Sequence, residues 1–185
     1  MRVITGSAKG TRLKTPEGMQ TRPTTERVKE ALFSSLHYSL PGKSVLDLFA
    51  GTGQLGIEAL SRGAQSAVFV DNRKDAVALV QENLRRTKLL QQATVVQSDY
   101  LSYLAVCRQK FDVIFLDPPY AETFLENALR KIVEFDILTA GGIIVGEWPA
   151  LKGMNEDFDG LVRLKEHRYG KIILTEFGKD PSNRG

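Results

Sequence analysis

Four aspartates and one glycine-rich turn have the spacing of a site for a small charged ligand. The turn "GTGQLG" occupies residues 51–56, between an apolar run and a predicted helix. Asp47 precedes it, Asp71 follows Gly51 by 20 positions, and Asp99 and Asp117 come later in the chain. This glycine spacing is typical of dinucleotide sites, where a pyrophosphate lies on a helix N-terminus and an acid binds the ribose. The spacing alone does not choose between a dinucleotide and another ligand.

Asp47 argues against a dinucleotide. A carboxylate beside the glycine turn would repel a pyrophosphate by about 4 kcal/mol at 4 Å and an effective dielectric of about 20. The same carboxylate would attract a ligand that carries a cation. S-adenosylmethionine has two cationic groups close together, its ammonium and its sulfonium, so the sequence favours this cofactor over NAD.

Each part of S-adenosylmethionine has a candidate partner in the sequence. Gly51 and Gly53 let the backbone approach the amino-acid portion, whereas Gly56 serves close helix packing. Asp71 is expected to accept both ribose hydroxyls, and Asp99 the adenine amino group. The predicted cofactor-binding residues are Asp47, Phe49, Gly51, Gly53, Asp71, Asn72, Asp99 and Tyr100.

The most specific stretch is "FLDPPYAE", residues 115–122. A proline-rich turn after a strand explains the two prolines but not the acid and tyrosine that flank them. The stretch resembles the [DNS]-P-P-[YFW] motif of class I methyltransferases that modify exocyclic or amide nitrogens. Such nitrogens are poor nucleophiles because their lone pair is conjugated. Asp117 and the Pro118 carbonyl are expected to accept hydrogen bonds from the amine, and Tyr120 to stack on the base.

The elements that must position these residues alternate along the chain. Short apolar runs at 44–50, 66–71, 93–97, 111–117 and 142–148 read as strands, separated by helical stretches. This alternation predicts a mostly parallel sheet with helices on both faces, a Rossmann-like class I methyltransferase fold. Two further runs, at 161–169 and 171–177, predict a closing antiparallel strand pair. The predicted aspartates then fall at the carboxyl ends of strands, where such folds bind ligands.

The first 29 residues form a basic leader. They hold seven basic and two acidic residues, whereas the whole chain has a net charge of +3. "RVIT" and "TRLKT" predict a small N-terminal β-hairpin around a Gly/Ser turn. The charge alone is equally compatible with a polyanionic partner and with a solvated surface ribbon.

The whole chain from Arg2 to about Phe177 resembles the bacterial small-subunit ribosomal RNA guanine-N2 methyltransferases. The resemblance lies in the basic leader, "RPTTERVKEALF", "DLFAGTGQLGIEALSRGA", "DPPY" and a closing strand pair that contains "YG". It implies methyl transfer from S-adenosylmethionine to N2 of a guanine in 16S RNA, within the assembling or assembled 30S subunit. By the same likeness the leader holds RNA phosphates. The residues expected to bind RNA are Arg2, Lys9, Arg12, Lys14 and Arg22.

Other activities remain open from the residues alone. Adenine-N6 methyltransferases share "DPPY", and protein glutamine methyltransferases resemble this core but favour Asn at the first motif position. A non-catalytic RNA-binding module and a dinucleotide oxidoreductase are weaker alternatives.

Composition limits the remaining possibilities. With one cysteine, Cys107, and two histidines, His37 and His167, a metal site is not expected. The absence of a signal-like or membrane-spanning run predicts a cytoplasmic protein. We expect a hairpin and link at 1–22, a methyltransferase domain at 23–178 and a disordered tail at 179–185.

Overall fold

The computed structural model describes residues 1–16, 23–36, 39–119, 123–150 and 157–182. Seven strands and five α-helices occur in the described chain, numbered in chain order. The helices are α1 (Pro23–Ser35), α2 (Gln54–Ser61), α3 (Lys74–Thr87), α4 (Tyr100–Val106) and α5 (Phe124–Glu134), and a short 3₁₀ turn spans Leu90–Gln92. The strands are β1 (Ser44–Asp47), β2 (Ser66–Asp71), β3 (Ala93–Gln97), β4 (Phe111–Leu116), β5 (Leu138–Pro149), β6 (Leu161–Tyr169) and β7 (Ile172–Lys179).

All seven strands form one sheet in the order β3-β2-β1-β4-β5-β7-β6. The first five strands pair in parallel, and β7 is antiparallel to both β5 and β6. This confirms the predicted sheet and its closing strand pair. The order reverses beside β1, because the chain builds outward to β3 and then returns to β4. The carboxyl ends of β1 and β4 therefore meet at a switch point, where open α/β sheets bind ligands.

Four strands differ from their predicted bounds, and one of them is β7, which spans Ile172–Lys179 instead of 171–177. The first strand ends at Asp47 instead of residue 50, because a turn closed by the Gly53 N–H donating to the Ala50 carbonyl (2.7 Å) replaces its end. The strand expected to end at 117 ends at Leu116, which leaves Asp117 beyond the ladder. The strand expected at 142–148 extends over Leu138–Pro149, since it pairs with β7 as far as Pro149.

Each face of the sheet carries its own apolar core, as the two-residue period of strands requires. Val45, Phe115 and Val145 face the core shared with α1, α2 and α3, whereas Leu46 and Ile144 face the core under α4 and α5. Side chains at alternate positions of one strand thus enter different cores. This alternation fixes which residues at the strand ends point toward a common site.

The N-terminal leader packs into the first of these cores. Val3, Ala8 and Leu13 are buried there. Within residues 1–16 the leader makes a single antiparallel bridge, Arg2 with Arg12, instead of the two predicted strands. Hairpin hydrogen bonds flank the bridge, since the N–H groups of Val3 and Leu13 donate to the carbonyls of Thr11 (3.0 Å) and Met1 (3.1 Å). The pairing goes no further along the chain because the next N–H groups, those of Ile4 and Thr5, donate to the Glu58 carboxylate of α2. The strand β7 ends at Lys179, one residue into the predicted tail, and residues 183–185 lie outside the described chain.

Candidate active site

A cavity of about 990 Å³ opens at the carboxyl ends of the parallel strands. It brings together eight of the residues predicted from the sequence: Phe49, Gly51, Asp71, Asn72, Asp99, Tyr100, Asp117 and Pro118. Two others, Asp47 and Gly53, are buried and do not belong to the wall formed by the described residues. Tyr120 and Arg22 lie outside the described residues. Six of the eight candidate cofactor residues therefore share one cavity with the "DPPY" aspartate.

Asp71 at the end of β2 fixes the glycine turn. Its Oδ2 accepts the Gly51 N–H at 2.9 Å, and its Oδ1 accepts the Arg73 N–H at 3.0 Å. Gly51 has φ +56°, in the left-handed region that favours glycine. An ionised carboxylate has about four acceptor sites, so Asp71 keeps capacity for further donors in the cavity. Its position suits the paired hydroxyls of a ribose.

Asp47 lies buried below the glycine turn. It is 1% exposed, and its Oδ2 accepts the Gly56 N–H at 3.0 Å. Burial raises the pKa of Asp47 to about 7; the bond from Gly56 opposes this rise, and the nearby Asp71 charge adds to it. In its ionised form this buried carboxylate makes the end of β1 unfavourable for anions and favourable for a cation.

The other two glycines of "GTGQLG" have structural tasks. Gly53 has φ +78° and precedes α2. A Cβ on Gly56 would lie 2.3 Å from Cε1 of the Phe69 ring, so only glycine lets α2 pack this closely on β2. The packing role expected for Gly56 is confirmed. The glycine spacing that is typical of dinucleotide sites therefore has another origin here: Gly51 and Gly53 form a turn, and Gly56 allows close helix packing.

Asp99 and Tyr100 begin α4 on the far side of the cavity. Asp99 caps the helix, since its Oδ1 accepts the N–H groups of Leu101 at 2.9 Å and Ser102 at 3.2 Å. Its hydrogen bonds with Ser102 lower the pKa of Asp99. The Tyr100 ring lies 5.1 Å from that of Phe49 and 5.6 Å from that of Phe124. These three rings form an aromatic wall suited to a flat heterocycle; Phe124 was not predicted from the sequence.

Asp117 follows β4 and faces the cavity with Pro118 and Pro119. Burial raises the pKa of Asp117 well above its ordinary value, and the negative charges of Glu147 and Asp47 add to the rise. Glu147 of β5 lines the same cavity, and the sequence analysis missed it. Its only sequence signal is an acid in an otherwise apolar strand, "GIIVGEW".

The start of the leader lies against the cavity wall. Lys29 of α1 lines the cavity although its side chain is only 3% exposed, and its Nζ donates to the Arg2 carbonyl at 2.7 Å. The Thr52 hydroxyl of the glycine turn contacts Met1 Sδ at 3.5 Å. The four described residues expected to bind RNA are all exposed: Arg2, Lys9, Arg12 and Lys14. Met1 and Arg2 are thus held beside the cavity, and the leader presents exposed cations to solvent.

Asn83 of α3 joins the leader to the glycine turn. Its Oδ1 accepts the Lys14 N–H at 2.7 Å, and its Nδ2 donates to the carbonyls of Lys14 (3.0 Å) and Thr52 (2.9 Å). Asn83 is completely buried. One side chain therefore sets the position of both segments, and the sequence showed only a polar residue on an otherwise apolar helix face.

Comparison with known proteins identifies the family. The family model described as Conserved hypothetical protein 95 matches residues 1–178. The chain belongs to this family. Its relatives include a candidate rRNA methyltransferase of Bacillus subtilis, YlbH, 42% identical over 97% of this chain and 99% of that protein. Ribosomal RNA small subunit methyltransferase D of Escherichia coli is 33% identical over 83% of this chain and 77% of that protein.

The fold of this chain is also similar to that of a solved structure. The structure of yhhF, a candidate methyltransferase of Escherichia coli, superposes with a TM-score of 0.89, at 28% identity over 97% of this chain and 98% of the other. This confirms the predicted class I methyltransferase fold. In the part of the chain that the structure describes, no helix is long and apolar enough to cross a membrane.

Proposed function

We propose that this protein transfers a methyl group from S-adenosylmethionine to the exocyclic N2 of a guanine in small-subunit ribosomal RNA. The observation that carries the proposal is the position of Asp117 and Pro118, which line the same cavity as Asp71 and Asp99. An acceptor for an amino group thus shares one cavity with acceptors suited to a ribose and an adenine. The kinship with ribosomal RNA small subunit methyltransferase D supports the RNA substrate, and the resemblance of the leader supports guanine N2.

The residues at the carboxyl edge fit the cofactor chemically. Asp71 would hold the ribose hydroxyls, and the rings of Phe49 and Tyr100 would flank the adenine. Asp47 lies too deep to be part of the wall, so its charge acts through the glycine turn. When bound, S-adenosylmethionine supplies an electrophilic methyl group on a sulfonium and is left as the neutral thioether.

Asp117 acts on the nitrogen that receives the methyl group. Its carboxylate accepts a hydrogen bond from the amine, which orients the nitrogen lone pair toward the methyl carbon. N2 gains one bond to carbon and must lose one proton. Burial raises the pKa of the Asp117 carboxyl, which makes this carboxylate the better proton acceptor. The Pro118 carbonyl is proposed as the second acceptor, and Tyr120 as the stacking partner of the base.

The leader holds the RNA in this proposal. Arg2, Lys9, Arg12 and Lys14 are exposed cations of the leader and would contact phosphates, and Arg22 is proposed as a further contact. Residues 1–22 thereby serve RNA binding and residues 23–178 the transfer. The substrate is the RNA of the assembling or assembled 30S subunit, so the enzyme acts in the cytoplasm.

The test uses the intact chain, radiolabelled S-adenosylmethionine and 30S subunits from cells that lack this protein. The RNA is then digested, and the methylated nucleotide is located by mass mapping. We expect one labelled N2-methylguanosine in the small-subunit RNA. Label on an adenine or on a protein amide would assign the alternative activities, and no label on any ribosomal RNA would refute an RNA substrate.

A matched pair of variants tests the role of Asp117. Asp117→Asn should abolish transfer while leaving binding of S-adenosylhomocysteine and the thermal midpoint close to those of the natural chain. The control is Asp112→Asn at the opposite end of β4, where Asp112 binds Ser44 and Thr139 away from the cavity. This control should retain transfer. Equal loss in both variants would show that the Asp117 effect is structural.

A further inference from the structure

Glu147 and Asp117 come directly after the last paired residues of two neighbouring parallel strands. Leu116 of β4 pairs with Gly146 of β5, Asp117 follows Leu116 beyond the ladder, and Glu147 follows Gly146. Neighbouring strands lie about 4.7–4.9 Å apart, and side chains two residues apart share a face. Phe115 and Val145, two positions earlier, share one core, so both acids point to that same side. Both line the cavity.

Apolar side chains flank this carboxylate pair in the cavity wall. Leu174 of β7 lies directly opposite Glu147 and also lines the cavity, as do Val145 and Phe115. The Glu147 charge is close enough to raise the pKa of Asp117, after burial itself. Two carboxylate acceptors therefore lie close together in one cavity wall. A ligand that presents two adjacent donors would be able to bind both.

Of the bases with an exocyclic amine, guanine alone presents adjacent donors on its pairing edge. Guanine carries the N2 amino group next to N1–H. Adenine has its N6 amino group next to the N1 acceptor, and cytosine has its N4 amino group next to the N3 acceptor. An ionised carboxylate only accepts hydrogen bonds. A second carboxylate beside the amine therefore attracts guanine and repels the acceptor of adenine or cytosine.

We propose that Glu147 is the residue that selects guanine, by accepting the N1–H while Asp117 accepts the N2 amino group. This inference rests on the proposed function. It assigns Glu147 to specificity and leaves proton acceptance to Asp117. A methyltransferase of the same class with an uncharged hydrogen-bond donor in place of Glu147 is expected to methylate a base whose ring nitrogen accepts a hydrogen bond, such as adenine.

The experiment uses an RNA fragment that contains the guanine located by mass mapping, and the same fragment with 2-aminopurine at that position. 2-Aminopurine keeps the amino group but has an acceptor in place of N1–H. The natural chain should prefer guanine over 2-aminopurine by about 10- to 100-fold in kcat/KM, the effect of one charged hydrogen bond. Glu147→Gln should lower kcat/KM for guanine by a similar factor and reduce the preference to near unity, because the glutamine amide can donate to the acceptor.

Binding gives a second readout that does not require turnover. With S-adenosylhomocysteine present, quenching of 2-aminopurine fluorescence should show tighter binding to Glu147→Gln than to the natural chain. Glu147→Asp keeps the charge on a shorter side chain, so it should methylate more slowly but retain the preference for guanine. If Glu147→Gln does not fold, loss of the preference in Glu147→Asp would refute the proposal.

The control variant is Glu176→Gln on the neighbouring strand. Glu176 is also buried, but it binds Ser35 outside the cavity wall, so this change should leave the preference unaltered. If the natural chain methylates guanine and Glu147→Gln keeps the full preference, the inference about Glu147 is wrong and the proposed function stands. If the natural chain methylates no guanine, the proposed function itself has failed.

Discussion

Glu58 should be the residue whose neutralisation most loosens the leader. It is completely buried on α2, and its two carboxylate oxygens accept the backbone N–H groups of Ile4 at 2.8 Å and Thr5 at 3.0 Å. The Arg62 guanidinium donates to it at 2.8 Å, and Lys29 Nζ lies 3.6 Å away. The perturbation is Glu58→Gln, which keeps the shape and removes the charge.

The expected cost follows from these contacts. A glutamine retains one acceptor oxygen and turns its NH₂ group toward one of the two leader N–H groups, which then has no acceptor. Arg62 and Lys29 lose their anion at the same time. Breaking a buried ion pair from one side costs about 3–5 kcal/mol, and each kcal/mol lowers the midpoint by about 2–4 °C in a chain of this size. We expect the midpoint to fall by about 6–20 °C.

Thermal unfolding and amide hydrogen exchange together check this prediction. Exchange should accelerate most at the Ile4 and Thr5 amides, because they donate directly to Glu58. The control is Glu82→Gln, which removes an exposed acid that binds Lys14 of the same leader. It should leave the midpoint nearly unchanged, because exposed ion pairs contribute little. A similarly small shift for Glu58→Gln, with unchanged exchange at Ile4 and Thr5, would refute the reasoning.

Three further predictions concern the glycine turn. Gly56→Ala should destabilise the fold by about 1–3 kcal/mol, because the added methyl group overpacks against Phe69. Adding Phe69→Leu should recover part of the lost denaturation midpoint. If the losses of stability of the two single variants simply add in the double variant, this explanation is wrong. Because burial raises the pKa of Asp47 to about 7, this group favours the folded state below pH about 4, and that contribution is lost as pH rises to about 7. Asp47→Asn should therefore flatten the fall in thermal midpoint between pH 5 and pH 8, and an unchanged fall would count against the raised pKa. Asp71→Ala should weaken S-adenosylhomocysteine binding at least about tenfold in calorimetry, and unaltered affinity would remove Asp71 from the cofactor site.

The sheet and most of the cavity could be predicted because their signals are local. Apolar runs such as 66–71 and 93–97 match the strands residue for residue. Asp71 and Asp117 follow such runs, and parallel strands bring their carboxyl ends to one edge. The turn residues that end β1 at Asp47 carry apolar side chains, so composition extended that strand to residue 50.

The parts that could not be predicted depend on contacts between distant segments. Glu147 reaches the cavity only because β5 lies beside β4, and Asn83 is significant only because the leader crosses α3. The sequence predicted the leader as a separate basic hairpin, because its charged residues and its Gly/Ser turn are the features that a sequence shows directly. Val3, Ala8 and Leu13 join residues 1–16 to the core, and they are spaced too widely to form a recognisable strand pattern.

The last strand in the sheet order, β6, has consequences for how the protein behaves in concentrated solution. One side of β6 pairs with β7, and no described strand pairs with the other, so its backbone there could be extended by a strand from another molecule. Exposed cations occur along it, including Lys165 and Arg168, and its register shifts between Arg163 and Lys165. Like charges and a local bulge both disfavour edge-to-edge pairing. Replacing Arg168 with a β-branched apolar residue should therefore promote self-association, whereas replacing Lys165 would also remove the cation 3.8 Å from buried Glu176.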